Sequence, residues 1–385
     1  MPPGTEWPEV GSDALDPPRT AGVVRWPWLP RRRPALGGRP TAAPTLIFIL
    51  CGVAVGPHGV GLLSASVLDR LDLVVSVALA IIGVFVGLGV TSIPRQWATR
   101  ALIAGVAVSC VTIAVVTSGL FLLVTSWGLR LPVDTLTFAA VIGVCSSVSA
   151  AAHVDANLAG WRASHLADVD DVPLVVLGSL AVAVLVDGGA GSVALRLVLT
   201  SAAGGAIGVA GWLLFDRAGG PAERGVFVTG AVLLIAGVGA YLGTSPLLSG
   251  CVAALVWAHA PGAADRITAA DLRPLQHPLV CLLLIFAGAL IEWHVGVLWI
   301  AAAVVLLRLT GKLLASVAVA PMVNVSPTVL ATALLPPGVM GIALALNVRE
   351  VLGGDTTGIV AVVTSAAGAT EVLAAFLPRD VEDVR

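Results

Sequence analysis

Runs of apolar, uncharged residues as long as a bilayer is thick recur from Thr41 almost to Leu377. A helix needs about 20 such residues to cross the hydrocarbon core, and no water-soluble fold of this length could cover so many of them. Hydrophobic residues make up 57% of the chain and charged residues 11%, against roughly 25% charged in soluble domains. The chain therefore reads as an all-α integral membrane protein. Apolar segments fall at about 44–57, 71–91, 98–127, 134–155, 163–187, 191–215, 224–243, 246–260, 277–292, 295–320, 325–347 and 356–377, about twelve transmembrane helices joined by short loops.

These segments make one membrane domain, residues 41–378, with the bilayer as its surroundings. Residues 1–40 are rich in Pro, Gly and charge, with Glu6, Glu9, Asp13 and Asp16 where a secretory signal would carry a basic end and an apolar core. They are expected to form a disordered cytoplasmic tail, and 379–385 a second, short one. Cys51, Cys110, Cys145, Cys251 and Cys281 lie within apolar runs, without CxxC or Cys/His spacing, so neither disulfides nor a bound metal is expected. The near-neutral chain has no Lys/Arg blocks beyond the tail and hence no nucleic-acid footprint.

Arginine is retained on the cytoplasmic side of short loops. With the first segment running outward, that side collects the tail arginines with Arg95, Arg100, Arg162, Arg217, Arg224, Arg266, Arg273 and Arg379. Only Arg70, Arg130, Arg196 and Arg349 fall opposite. The expectation is a multi-pass protein of the plasma membrane with both termini cytoplasmic.

Charges inside apolar runs single out the candidate site, because each costs roughly 2.5–3.5 kcal/mol at the centre of a spanning helix unless it finds a partner or a wet cavity. One cluster is Asp168, Asp170 and Asp171; the other is Arg308 with Lys312, the one lysine of the chain. Asp171 could instead cap a helix starting at Val172, with Pro173 in its first turn. That helix would span only about 22 Å, whereas one from Ala163 reaches about 36 Å and carries the aspartates inside. Lys312 could snorkel to the interface. Arg308 and Lys312 share a helix face at i, i+4 and repel unless anions lie opposite. Three carboxylates facing two cations leave one negative charge, which suits one monovalent cation or one proton.

The segment PTLIFILCGVAVGPHGVGLL, Pro44 to Leu63, resembles the Pro…Gly…GlyPro-x-Gly-x-Gly opening of monovalent cation:proton antiporters of the Nha/Kef type, and LDLVVSVALAIIGVFVGLGV resembles the run that follows it. Asp170-Asp171 matches that family's acidic pair, Gly311-Lys312 its Gly-Lys, and LLPPGVMGIALAL its second broken helix. The resemblance implies an inverted-repeat fold whose fourth and eleventh segments are discontinuous and cross near the midplane. It implies cation or proton binding at Asp171, pairing of Asp170 with Lys312, no cofactor, and a homodimer.

The chain departs from that pattern at CSSVSAAA, where Ser146, Ser147 and Ser149 stand in place of an acid and a proline. Their hydroxyls and exposed carbonyls could coordinate a cation or simply ease helix packing. Pro336, Pro337 and Gly338 give a physical reason for unwinding in the other broken helix, which lacks the family's acid after the glycine. Glu371 and Asp155 are candidates for an access path, as is Asp168; Glu292 and His294 read as solvated loop residues. The function expected is electrogenic exchange of Na⁺ or K⁺ for protons by alternating access, without enzyme chemistry. The alternatives are a porter for another small substrate and a transport-dead scaffold or sensor.

Overall fold

The computed structural model describes residues 44–90, 95–128, 134–149, 158–187, 189–260, 264–292, 294–352 and 356–376. The two expected tails, 1–40 and 379–385, lie outside them. Within them the regular structure is helical: α1 (Pro44–Val55), α2 (Ala65–Val90), α3 (Arg95–Trp127), α4 (Thr135–Ser147), α5 (Leu158–Asp187), α6 (Ala190–Arg217), α7 (Pro221–Leu242), α8 (Pro246–His259), α9 (Ala264–Ala289), α10 (Val295–Val323), α11 (Pro327–Leu334), α12 (Val339–Leu352) and α13 (Thr357–Phe376). In lipid every backbone N–H and C=O must find its partner inside the protein, which a helix achieves by itself.

The twelve apolar segments each correspond to a helix, in order, except the eleventh, which is split into α11 and α12. Seven helices are long and apolar enough to cross a bilayer, and α11 with α12 makes an eighth span bent by 47°. The helices α1, α4 and α8 are shorter, 12, 13 and 14 residues, so at 1.5 Å per residue they reach only about 18–21 Å. In α9 the helix begins well before the apolar run at 277, because Ala264–His277 continues as a polar helical extension that an apolar count does not register.

Local chemistry sets the ends near the site. Asp134 caps α4 by accepting the Thr137 amide at 3.2 Å. Ser245 and Ser326 cap α8 and α11, each followed by a proline at the first helical position. Asn324 closes α10 in the left-handed region, φ 52°.

The helices pack as two bundles, α3, α4, α5, α10, α11, α12 and α13 in one and α1, α2, α6, α7, α8 and α9 in the other. Across the seam between them, α2 and α8 face α5 and α12. Packing inside the second bundle is tight: a Cβ on Gly83 would lie 2.1 Å from the Leu247 carbonyl oxygen, and one on Gly250 would lie 2.3 Å from that of Ala80. Small residues let membrane helices approach this closely and gain dispersion contacts where no hydrophobic force separates protein from lipid.

Candidate ion-binding site

Two helix ends meet inside the first bundle. The helix α4 stops at Ser147, and α11 stops at Leu334 before Pro336 and Pro337, neither of which has an N–H to donate. Each end leaves carbonyls without intrahelical partners and carries about half a negative charge. The α11–α12 break and the start of α12 are held against α4 by close approach: a Cβ on Gly341 would lie 2.4 Å from the Cys145 carbonyl oxygen, and one on Gly338 would lie 2.7 Å from the side chain of Val148.

Arg308 and Lys312 of α10 reach into this junction, at 3% and 1% exposure, which excludes snorkelling to the interface. The Arg308 guanidinium donates through Nη1 to the Ser146 carbonyl, and through Nη2 to the carbonyls of Val148 at 2.7 Å, Leu335 at 3.1 Å and Pro336 at 3.4 Å. One planar fork thereby ties α4 to the α11–α12 break, a geometry a single ammonium could not reproduce. Lys312 Nζ donates to the Ser147 carbonyl and, at 2.6 Å, to Ser149 Oγ. Ser147 Oγ turns back to the Val144 carbonyl at 2.8 Å. Three main-chain carbonyls of the serine-rich segment, those of Ser146, Ser147 and Val148, are engaged by fixed cations, as is the Ser149 hydroxyl.

A cavity of about 20 Å³ lies beside Arg308, lined also by Ser146, Pro337, Gly338, Gly341 and Thr370. That volume holds about one water.

Asp171 lies inside α5, which runs unbroken from Leu158 to Asp187 through Pro173, so it does not cap a helix starting at Val172. It stands about 20 Å from one end of α5 and about 24 Å from the other, counting 1.5 Å per residue. The side chain is half-buried, and Pro173 removes the amide that would have bonded the Val169 carbonyl. Asp168 and Asp170 belong to the same helix, with side chains outside the described set. Both α5 and α10 pack on α3, α4 and α11. The acidic and basic clusters thus sit on helices that enclose one junction.

Glu371 of α13 is hydrogen-bonded to Thr45 of α1, linking the two bundles near the end where α1 begins. Glu292 is exposed, 3.9 Å from His58 and 3.5 Å from His294, as a solvated loop residue should be. Asp155 lies outside the described residues.

The sequence reading missed a second buried cluster at the opposite end, where α12 finishes. Arg349, 8% exposed, donates to Asp72 Oδ1 at 2.8 Å and lies 4.0 Å from Asp69. Its guanidinium also stacks on Phe286, 5.3 Å from the ring centre. Next to it Ser76 donates to Glu350. The signal was present in the run ALALNVREVL, where Asn347, Arg349 and Glu350 interrupt an apolar stretch.

No family model matches the chain, and no curated protein matches it either. Among solved structures it is similar to the sodium proton antiporter MjNhaP1 from Methanocaldococcus jannaschii, with a TM-score of 0.61 over 86% of this chain and 89% of that one, at 15% sequence identity. The fold is that of a sodium proton antiporter. In this antiporter fold the described helices make a multi-pass membrane protein.

Proposed function

We propose that the protein exchanges a monovalent cation, Na⁺ or K⁺, for protons across the plasma membrane by alternating access, with Asp171 carrying the exchanged ion. One observation carries the reading: a half-buried carboxylate midway along the 30-residue helix α5, which packs against the junction where two buried cations hold two helix ends. The helix ends contribute about −1 together, and Arg308 with Lys312 contribute +2. The amino-terminal end of α12 adds about +0.5, and an ionised Asp170 paired with Lys312 brings the surroundings close to neutrality. Asp171 then alternates between one negative charge when empty and none when loaded, so the empty site resists crossing the membrane. That difference couples the two fluxes.

One proton exchanged for one cation at Asp171 moves no net charge. The electrogenic exchange proposed here takes a second proton, held by the Asp170–Lys312 pair. The exchange needs no bond chemistry and no cofactor. The arginine distribution supports a cytoplasmic position for both termini, and a homodimer is the expected assembly.

Proteoliposomes with an imposed gradient of Na⁺, K⁺, Li⁺ or Rb⁺ test this reading. Wild type should move protons against at least one of these cations and respond to an imposed membrane potential. Asp171→Asn keeps the size and loses the titratable charge, so exchange should fall at least a hundredfold with the fold intact. Wild-type flux in that variant would overturn the assignment. Absence of flux in wild type for every cation would return the function to another small substrate or a scaffold role.

A further inference from the structure

Four hydrogen bonds between α5 or α12 and α2 or α8 lie toward the end that carries the short α5–α6 connection. Ser179 of α5 donates to Ser245 of α8 at 3.1 Å, and Ser245 donates to Asn347 of α12 at 3.0 Å. Asp72 and Ser76 of α2 meet Arg349 and Glu350 of α12. Each contact joins α5 or α12 on one side to α2 or α8 on the other. A seam fixed for good would be expected to be apolar, since polar groups buried from water stabilise less than packed apolar ones unless fully satisfied.

These groups are not fully satisfied. Asn347 Nδ2, Glu350 Oε2 and Thr244 Oγ1 are buried without a hydrogen-bond partner, and Asn347 is 0% exposed. They comprise a donor, an acceptor and a hydroxyl that can be either, within one turn of α12 and the start of α8. Such a set is complementary to water or to a hydrated ion. Ser179 lies about 12 Å along α5 from Asp171 and about 12 Å from the end of that helix, so the polar seam spans the second half of the path from Asp171 to the surface.

Resting on the antiport reading, we infer that this seam is the ion route between Asp171 and the α5–α6 end, lined by Ser179, Ser245 and Asn347, and closed in this conformation by the ion pair of Arg349 with Asp72. The closure is evident in burial: Ser76, Ser179, Ser245 and Asn347 are all exposed by 3% or less. Asp72 remains 37% exposed, so the pair forms the outermost barrier, with the rim carboxylate of Asp69 beyond it at 73% exposure. Arg349 repels an approaching cation while paired across the seam, and its withdrawal leaves Asp69, Asp72 and Glu350 facing the entrance.

The full-length protein in liposomes, with its five native cysteines replaced and Ser179→Cys introduced, tests the inference with an impermeant thiol reagent applied from each side. Labelling should be slow in this background. It should rise at least tenfold from the α5–α6 side alone in Arg349→Gln, and likewise in Asp72→Asn, which removes the pair from its exposed partner. The exchanged pair, Asp72→Arg with Arg349→Asp, should restore slow labelling. Rates within twofold of the background in both single variants would overturn the gate, as would acceleration that the exchanged pair does not reverse. Labelling needs no transport. A gate that responds in a protein without cation flux leaves the route standing and removes the antiport reading, whereas normal flux with an unresponsive Ser179→Cys removes the gate alone.

Discussion

Arg308 and Arg349 are both buried in the membrane region, and their surroundings differ in kind. Arg308 is held by four main-chain carbonyls at the ends of two helices of the same bundle. Arg349 is held by the side chain of Asp72, which belongs to the other bundle and is partly in water. Carbonyls at a helix end neither titrate nor swing away, so an arginine fixed by them is part of the scaffold. A carboxylate across a seam can separate, rehydrate and re-form its pair. The same residue type thus serves as a rivet in one place and as a latch in the other.

The largest effect should come from the rivet. Arg308→Met leaves two helix ends with unpaired buried carbonyls, and losing a buried charge from its partners costs on the order of 3–5 kcal/mol. Thermal unfolding in detergent should show that loss, and Arg308→Lys should recover little of it. If Arg308→Met unfolds no earlier than Arg349→Met, the distinction between the two sites fails.

Lys312 should come next. Lys312→Met strands the acid expected to pair with it, and Asp170→Asn added to it should recover part of the loss, with a coupling of about 1–3 kcal/mol in a double-mutant cycle. Additive losses would mean that the two side chains do not pair.

Arg349→Met should cost least, about 1–2 kcal/mol, because Asp72 can return to water when its partner is gone. Its cost should also shrink in 1 M salt, where charges are screened beyond roughly 3 Å, while the cost of Arg308→Met stays unchanged. Equal salt sensitivity would place both arginines in the same class.

The rivet was legible in the sequence as an anomaly and illegible as a contact. Arg308 and Lys312 stand out because nothing else in their apolar run is charged. Their partners are carbonyls, however, and a carbonyl becomes available only where a helix stops. Pro336 and Pro337 announce one stop. The other, at Ser147, has neither proline nor glycine beside it, so the sequence suggested serine hydroxyls and carbonyls free for a cation where the structure has them bound to Arg308 and Lys312. The latch was illegible for a different reason: Asp69 and Asp72 lie at the start of an apolar run, where charges are ordinarily solvated, and only the fold brings Arg349 over them. Asp171 was placed inside a spanning helix by length alone, since the alternative helix was too short for a bilayer, and α5 does run through it.

Lys312 has a practical consequence. It is the sole lysine of the chain, and its amine is sealed at 1% exposure. An amine-reactive dye applied to the folded protein therefore finds no lysine to modify, and any lysine adduct that forms dates from a moment when the junction of α4, α10 and α11 had come apart. The chain carries its own clock for the opening of its core, readable by mass spectrometry without adding a probe.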